Sequence, residues 1–137
     1  MPNLNPYLSF KNQARTAMEF YQSVFGGDLD ISTFGSYEGM VQDPSEGDLV
    51  MHGQLTTADG MVLMASDTPS GMEYTAPAGI SVSVSGDDEA QLEKYWNALI
   101  DGGTVTMPFE VPPWGGRFGM LRDRFGIDWM IAYSPEP

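Results

Sequence analysis

The chain has no cysteine and a single histidine among its 137 residues. Without cysteine it can form neither a disulfide nor a thiolate zinc site, so an apolar core must hold the folded state together. A globule of this length buries about 68% of the surface that its unfolded chain exposes, which is enough for one ordinary core. We therefore predict one domain over residues 1–137.

Positively charged residues are scarce, since 6 Lys and Arg stand against 19 Asp and Glu and leave a formal charge of -13. A field of that sign repels phosphate groups, which predicts no nucleic-acid partner and favours neutral or cationic ligands over anionic ones. Long apolar runs and a basic-then-apolar leader are also missing. We therefore expect a cytoplasmic protein that does not associate with membranes.

Two successive stretches of the chain show the same order of elements: one strand, one helix and three strands. In the first module, about 1–67, the helix is capped by Asn12 and ends at Gly26-Gly27. Its strands are predicted over 5–10, 29–34, 50–57 and 61–66, from alternating or β-branched residues.

The second module, about 79–134, has a helix that is capped by Asp87 or Asp88 and ends at Gly102-Gly103. Because both helices end in a Gly-Gly pair before a new strand, the halves indicate a duplication joined by a linker over about 68–78. The fold class is therefore α+β, with two βαβββ modules. The strands of the second module are predicted over 79–84, 104–111, 117–122 and 129–133.

A long acidic loop is expected over 35–48, where Glu38, Asp43, Glu46 and Asp48 accompany three glycines. Such a composition predicts mobility. The loop is either a lid over a ligand or a plain solvated loop.

The first strand of each module has one apolar side and one small or polar side. Leu8 and Phe10 alternate with Tyr7 and Ser9, and the apolar side must pack on a helix. The polar side faces either solvent or a cleft. In the second module the apolar side is formed by Ile80, Val82 and Val84.

The turn over 58–60 sets the pairing of two neighbouring strands. A three-residue loop with Gly60 in the left-handed conformation pairs Thr57 with Met61, whereas a two-residue loop would reverse the two faces. Leu63 and Ala65 then lie towards the helix. The three-residue register places four side chains on the opposite face: His52, Gln54, Met64 and Ser66.

Several motifs together resemble one known family over nearly the whole chain. They include Pro6-Tyr7-Leu8-Ser9-Phe10, Val24-Phe25-Gly26-Gly27, His52-Gly53-Gln54-Leu55, Leu63-Met64-Ala65-Ser66-Asp67, Asp123-Arg124-Phe125-Gly126 and Trp129-Met130-Ile131. The chain resembles the PhnB-like branch of the vicinal-oxygen-chelate (glyoxalase/bleomycin-resistance) superfamily. The resemblance implies two modules that each curl into a half-open barrel around a ligand cleft, with the helices outside. It also implies a homodimer.

Metal-dependent members of that superfamily place their ligands on the first and last strands of each module. Matching strand by strand puts Asn5, Met64, Gly79 and Met130 at those positions. Thioether sulfur is soft, glycine has no side chain and a lone amide oxygen is weak, so the set suits no hard or borderline divalent ion. We therefore expect no metal and no other cofactor.

His52 is the main candidate for chemistry, since histidine is the residue type whose charge ordinarily changes near neutral pH. We expect it near Gln54, Ser66 and Asp67, where it is a structural residue, a ligand contact or a general base. Among the aromatic residues, Tyr95 and Trp96 are expected in the core. Four others are expected to line or cover the cleft, where flat apolar ligands bind well: Tyr7, Trp114, Phe118 and Trp129.

The sequence thus favours a small-molecule-binding protein that holds a largely neutral ligand without a metal. The alternative is an enzyme, either metal-free with His52 as acid or base, or with an atypical metal site that includes His52 and a carboxylate. A purely structural interaction module is a third hypothesis. The predicted ligand-binding residues are Asn5, Tyr7, His52, Gln54, Met64, Ser66, Trp114, Phe118 and Met130.

Overall fold

The computed structural model of the protein describes residues 2–37, 39 and 43–135. The chain divides into two compact units, Met1–Ala76 and Pro77–Pro137. Each unit contains one α-helix packed on one face of a four-stranded mixed sheet. The predicted α+β class with two βαβββ modules is confirmed, while the single domain over 1–137 stays a prediction.

The sheet of the first unit has the order β1-β4-β3-β2, in which β1 and β4 are parallel and the other pairs are antiparallel. Two short 3-10 helices, Phe34–Ser36 and Pro44–Glu46, lie between β2 and β3. Glu38 and residues 40–42 of the predicted acidic loop lie outside the described residues, so its role as a lid stays a hypothesis. The main elements are β1 (Tyr7–Phe10), α1 (Ala14–Phe25), β2 (Asp28–Thr33), β3 (Val50–Thr56) and β4 (Val62–Asp67).

The second unit repeats this plan with the strand order β5-β8-β7-β6, again with one parallel pair, β5 and β8. Residues 68–80, which contain the predicted linker, form neither helix nor strand. The elements are β5 (Ser81–Gly86), α2 (Glu89–Leu99), β6 (Thr104–Glu110), β7 (Arg117–Arg122) and β8 (Asp128–Tyr133).

Each helix buries one apolar stripe against its own sheet. In α2, Trp96 stacks on Phe109 of β6 with ring centroids 5.3 Å apart, and Tyr95 is also buried, so the predicted core role of both is confirmed. Gly119 of β7 leaves the room that this ring needs, because an added Cβ would lie 2.8 Å from Trp96 atoms. The stripe of α1 consists of Ala14, Ala17, Met18, Tyr21 and Val24.

The helix caps differ between the two units. Asp88 caps α2 by accepting a hydrogen bond from the backbone N–H of Gln91, as one of the two predicted alternatives has it. The predicted cap of α1 is wrong, since Asn12 has a left-handed φ of 65° and no side chain of the preceding residues caps the helix. Instead, a carboxylate at the end of β4 accepts hydrogen bonds from backbone N–H groups at the start of the helix.

That carboxylate is Asp67, which is 4% exposed. Its Oδ1 accepts hydrogen bonds from the N–H groups of Gln13 at 3.0 Å and Ala14 at 2.9 Å, and its Oδ2 accepts one from Val50 at 3.0 Å. Asp67 therefore joins the start of α1 to the start of β3.

Asp123 has a comparable structural role at the turn between β7 and β8. Its Oδ1 accepts hydrogen bonds from the N–H groups of Phe125 and Ile127, and its Oδ2 accepts one from the indole N–H of Trp129 at 2.8 Å. Trp129 is 1% exposed. The prediction that Trp129 lines a ligand cleft is therefore wrong, because its indole is part of the core.

The start of β5 also differs from the prediction. The strand begins at Ser81, so Ile80 lies outside it and is 79% exposed instead of packing towards α2. Among the described residues, neither helix has the length and apolar character needed to cross a membrane.

Candidate functional site

The first candidate surface is the face of the first sheet opposite α1, which we call the helix-free face. The N–H of Thr57 donates to the carbonyl of Met61 and Gly60 has a φ of 86°, so the predicted three-residue loop is confirmed. Gln54 pairs with Met64 as predicted, and Leu63 and Ala65 are buried towards α1. Strand pairing places these side chains, among others, on the helix-free face: Tyr7, Ser9, Asp30, Ser32, His52, Gln54, Met64 and Ser66.

Two of these side chains form a direct hydrogen bond. The Tyr7 hydroxyl lies 3.0 Å from His52 Nδ1, with the ring centroids 5.6 Å apart and the planes tilted by 36°. Strand β4 lies between β1 and β3 in the sheet, so the two side chains meet across it. This contact was not predicted, although both residues were predicted separately. The contact follows only when the pairing registers of β1, β4 and β3 are combined.

Ser32 and Gln54 bring further polar groups to the helix-free face beside His52. Ser32 is paired with His52 across β2 and β3, and its hydroxyl donates to the His52 carbonyl at 3.4 Å. Gln54 Nε2 donates to Thr56 Oγ1 at 3.4 Å. The expected proximity of Asp67 to His52 is wrong, because Asp67 is buried on the opposite side of β4, where its carboxylate binds backbone N–H groups.

The resemblance equates four positions with the superfamily's metal ligands, and the strand pairing shows which of them are equivalent in the two units. In the two units the N–H groups of Thr68 and Ser134 donate to equivalent carbonyls, those of Phe10 and Gly86. This equivalence aligns Met64 with Met130 as predicted. It aligns Asn5 with a residue two positions after the predicted Gly79, which precedes β5.

That residue is Ser81, a neutral hydroxyl. Two thioethers, one amide and one hydroxyl make a poor donor set for a hard or borderline metal ion. Across residues 2–37, 39 and 43–135, no three His, Asp or Glu side chains form a group that could hold a metal. The absence of a metal stays a prediction.

The second candidate surface is an open pocket of about 390 Å³ in the second unit, where β7 begins and β8 ends. Trp114 stands at it with 78% of its surface exposed. Phe118 and Ala132, which are paired across β7 and β8, also contribute. The pocket is lined by Trp114, Gly115, Gly116, Arg117, Phe118, Ala132, Tyr133, Ser134 and Pro135.

Gly116 brings the two strands together at this pocket. Its φ is 72°, and an added Cβ would overlap the carbonyl oxygen of Tyr133. Glycine is therefore required there for both conformation and space. Tyr133 and Ala132 were missed as lining residues, although the adjacency of β7 and β8 would have placed them beside Phe118.

Arg117, the cation at this pocket, is already engaged by protein groups. Its guanidinium lies 3.2 Å from a Glu89 oxygen and 3.8 Å from a Glu93 oxygen. It also donates to the Phe109 carbonyl at 3.1 Å and lies 4.1 Å from the centre of the Phe109 ring. An anionic ligand would have to compete with these partners.

The far end of the same sheet carries a second ion pair. Arg122 Nε lies 2.8 Å from Asp128 Oδ1, and the hydrogen bond from this carboxylate, together with its charge, raises the pKa of Arg122. Arg124 pairs with Asp101 at 3.3 Å. Three of the four arginines are thus paired with carboxylates within the second unit.

The predicted site residues therefore form two groups. Tyr7, His52, Gln54, Met64 and Ser66 share the helix-free face of the first sheet, and Asn5 lies two residues before Tyr7, ahead of β1. Trp114 and Phe118 meet at the pocket of the second unit. Met130 does not line this pocket, since it pairs with Ser83 and Met120 further along the sheet.

Comparison with known proteins shows one family over almost the whole chain. A family model described as 3-demethylubiquinone-9 3-methyltransferase matches residues 2–132. The crystal structure of protein PA1353 from Pseudomonas aeruginosa is 34% identical, covers 98% of each chain and has a TM-score of 0.87. A putative 3-demethylubiquinone-9 3-methyltransferase, PhnB protein, from Bacillus cereus is 25% identical over 97% of this chain and 100% of its own, with a TM-score of 0.73.

The fold is shared more widely than the sequence. A glyoxylase/bleomycin resistance protein/dioxygenase domain from Frankia sp. EAN1pec is 14% identical, covers 98% of each chain and has a TM-score of 0.67. At that identity the likeness shows the fold alone.

Proposed function

Because the chain belongs to the PhnB-like (3-demethylubiquinone-9 3-methyltransferase-like) family of the glyoxalase/bleomycin resistance/dioxygenase superfamily, we propose that it binds a small, largely neutral molecule without using a metal ion. The observation that carries this proposal is the aromatic pocket beside Trp114 and Phe118. Its volume of about 390 Å³ is in the range of small-molecule sites.

The chemistry of the pocket favours a flat, apolar ligand. An exposed indole and a phenyl ring offer large contact areas at low conformational cost. Arg117 is held by Glu89 and by the Phe109 carbonyl, and the chain carries a formal charge of -13. Both features disfavour anions, and the donor set at the metal-equivalent positions disfavours a divalent ion. Methyl transfer is not part of the proposal.

A thermal-shift screen of neutral aromatic metabolites and antibiotics tests the proposal. A compound present at 100 times its Kd stabilises the native state by about 2.7 kcal/mol, which raises the Tm by several degrees. We expect the Trp114→Ala variant to lose most of the shift. Tyr37→Ala, which removes an exposed aromatic residue outside the pocket, should keep it.

Two results would contradict the proposal. A library without a stabilising compound, or a stabilising compound whose shift is the same in Trp114→Ala, would remove the pocket as the binding site. A stoichiometric ion found by elemental analysis after gentle purification would refute the metal-free part.

The second candidate function is an acid–base enzyme centred on His52. It is favoured by the hydrogen bond between Tyr7 and His52 Nδ1, since a histidine held by a second group is a common arrangement for proton transfer. Once a ligand is known, His52→Ala distinguishes the two functions. Lost turnover with retained binding supports catalysis, and unchanged turnover excludes His52 from the mechanism.

A further inference from the structure

The role of His52 depends on which ring nitrogen carries the proton. A neutral imidazole has one N–H donor and one acceptor nitrogen, and the partner of one nitrogen sets the state of the other. Nδ1 is paired with the Tyr7 hydroxyl at 3.0 Å. Within the described residues of the first unit, Nε2 has no hydrogen-bond partner, which leaves it for a ligand.

The direction of the bond between Tyr7 and His52 follows from the hydrogen-bonding chemistry of the two groups. A phenol O–H is a good hydrogen-bond donor. The unprotonated nitrogen of a neutral imidazole is a better acceptor than the phenol oxygen. The favoured arrangement is therefore Tyr7 O–H donating to Nδ1, with the imidazole proton on Nε2.

We infer that Tyr7 is a positioning residue that holds neutral His52 in the Nε2–H form, so that His52 donates a hydrogen bond to a carbonyl or similar neutral acceptor of a ligand. Donation from Nε2 is incompatible with His52 acting as a general base through that nitrogen. The ligand class rests on the proposed small-molecule function, whereas the proton position does not.

The surroundings of the ring support this assignment. Ser32 donates to the backbone carbonyl of His52 and not to its ring. The orientation of the ring is therefore fixed by its hydrogen bond with Tyr7. Gln54 follows two residues later on the same face, and its amide adds both a donor and an acceptor. A neutral ligand with acceptor oxygens matches these groups without requiring a charge.

Because the chain has one histidine, the proton position can be measured directly on the whole protein. The tag-free chain is labelled with ¹⁵N-histidine, and long-range ¹H–¹⁵N spectra are recorded at rising pH until the histidine signals no longer change, which identifies the neutral ring. We expect a pyrrole-type signal for Nε2 and a pyridine-type signal for Nδ1. In Tyr7→Phe the two signals should move towards the tautomer mixture of a free imidazole.

Tyr37→Phe is the matched control, since Tyr37 is exposed to a similar extent, 53% against 48% for Tyr7. It should leave the histidine signals unchanged. The inference is overturned if the wild-type proton resides on Nδ1, or if Tyr7→Phe leaves the tautomer ratio unchanged while the amide spectrum shows a folded protein. Since no ligand is added, failure of the pocket experiment does not affect this result.

Discussion

The two buried carboxylates, Asp67 and Asp123, are structural at the scale of single residues. Each accepts hydrogen bonds from three N–H groups, two through one oxygen and one through the other. A buried carboxylate without such donors would be strongly destabilising. We therefore assign Asp67 and Asp123, which lie in motifs that resemble the family, to stabilising the fold and not to binding a ligand.

Asp67→Asn tests this structural role. The amide keeps one acceptor oxygen and turns its NH₂ group towards an N–H donor, so we expect the free energy of unfolding to fall by roughly 2 kcal/mol. Urea titration measures the change. Asp59→Asn, at an exposed position of the turn after β3, should change it by less than about 0.5 kcal/mol. Equal effects of the two substitutions would contradict the assigned role.

The predicted register of β3 with β4 is confirmed, but Asp67 was assigned to the wrong side of β4. Alternation along β4 already put Ser66 on the helix-free face, so its neighbour had to point the other way. Alternation along single strands could not predict the contact between Tyr7 and His52, because the contact depends on the register of β1 with β4 and of β4 with β3. Long-range pairing of that kind is not encoded in local spacing.

At the scale of elements, the order of strands and helices was predictable, whereas their ends were not. The alternation of apolar and small residues already starts before β5, at Ile80. Periodicity alone therefore could not locate Ser81 as the first residue of the strand. The cap of α1 failed for a different reason. Asn12 has the residue type of a cap, but a carboxylate from a distant strand occupies that role.

Gly119→Ala tests the packing of α2 on its sheet. The added methyl would lie 2.8 Å from both the Phe109 Cα and the Trp96 ring, so we expect a loss of about 1–3 kcal/mol in unfolding free energy. Gly86→Ala is the control in the same unit, because the nearest atom to the added methyl, on the Leu92 side chain, would be 4.0 Å away. A mild effect at Gly119 would show that the Trp96 ring has room to move.

Asp88→Ala tests the local cap of α2. Loss of the hydrogen bond to the Gln91 N–H should cost about 1 kcal/mol. Asp87→Ala removes the same charge one residue earlier, at a position where the structure shows no cap, and should cost less. Chemical denaturation of both variants at the same salt concentration gives the comparison. The reverse order would mean that Asp87 is the cap.

At the scale of the whole molecule, the family and the scarcity of positive charge bear on the partners. The resemblance implied a homodimer. Because the chain belongs to this family, we propose the homodimer here. Only 6 basic residues oppose 19 acidic ones, and three arginines are paired with carboxylates. We therefore still expect no phosphate-rich partner, because the negative charge of the chain repels phosphate groups.

The homodimer is tested by light scattering during size-exclusion chromatography. We expect a mass twice that of one chain at micromolar concentration. Dilution and an increase in salt concentration should be compared, because a strongly acidic chain repels its own copies more at low ionic strength. A mass equal to one chain under all conditions would refute the dimer.

The carboxylate of Asp67 also bears on the order in which the protein folds. It reaches the first N–H groups of α1 across 54 and 53 residues, whereas Asp88 is adjacent to the helix it caps. Closing the longer loop costs more chain entropy and must precede the bond. The first turn of α1 should therefore gain protection from amide exchange only when β4 docks, while the first turn of α2 can become protected early. The two units would then acquire their helix caps at different stages of folding.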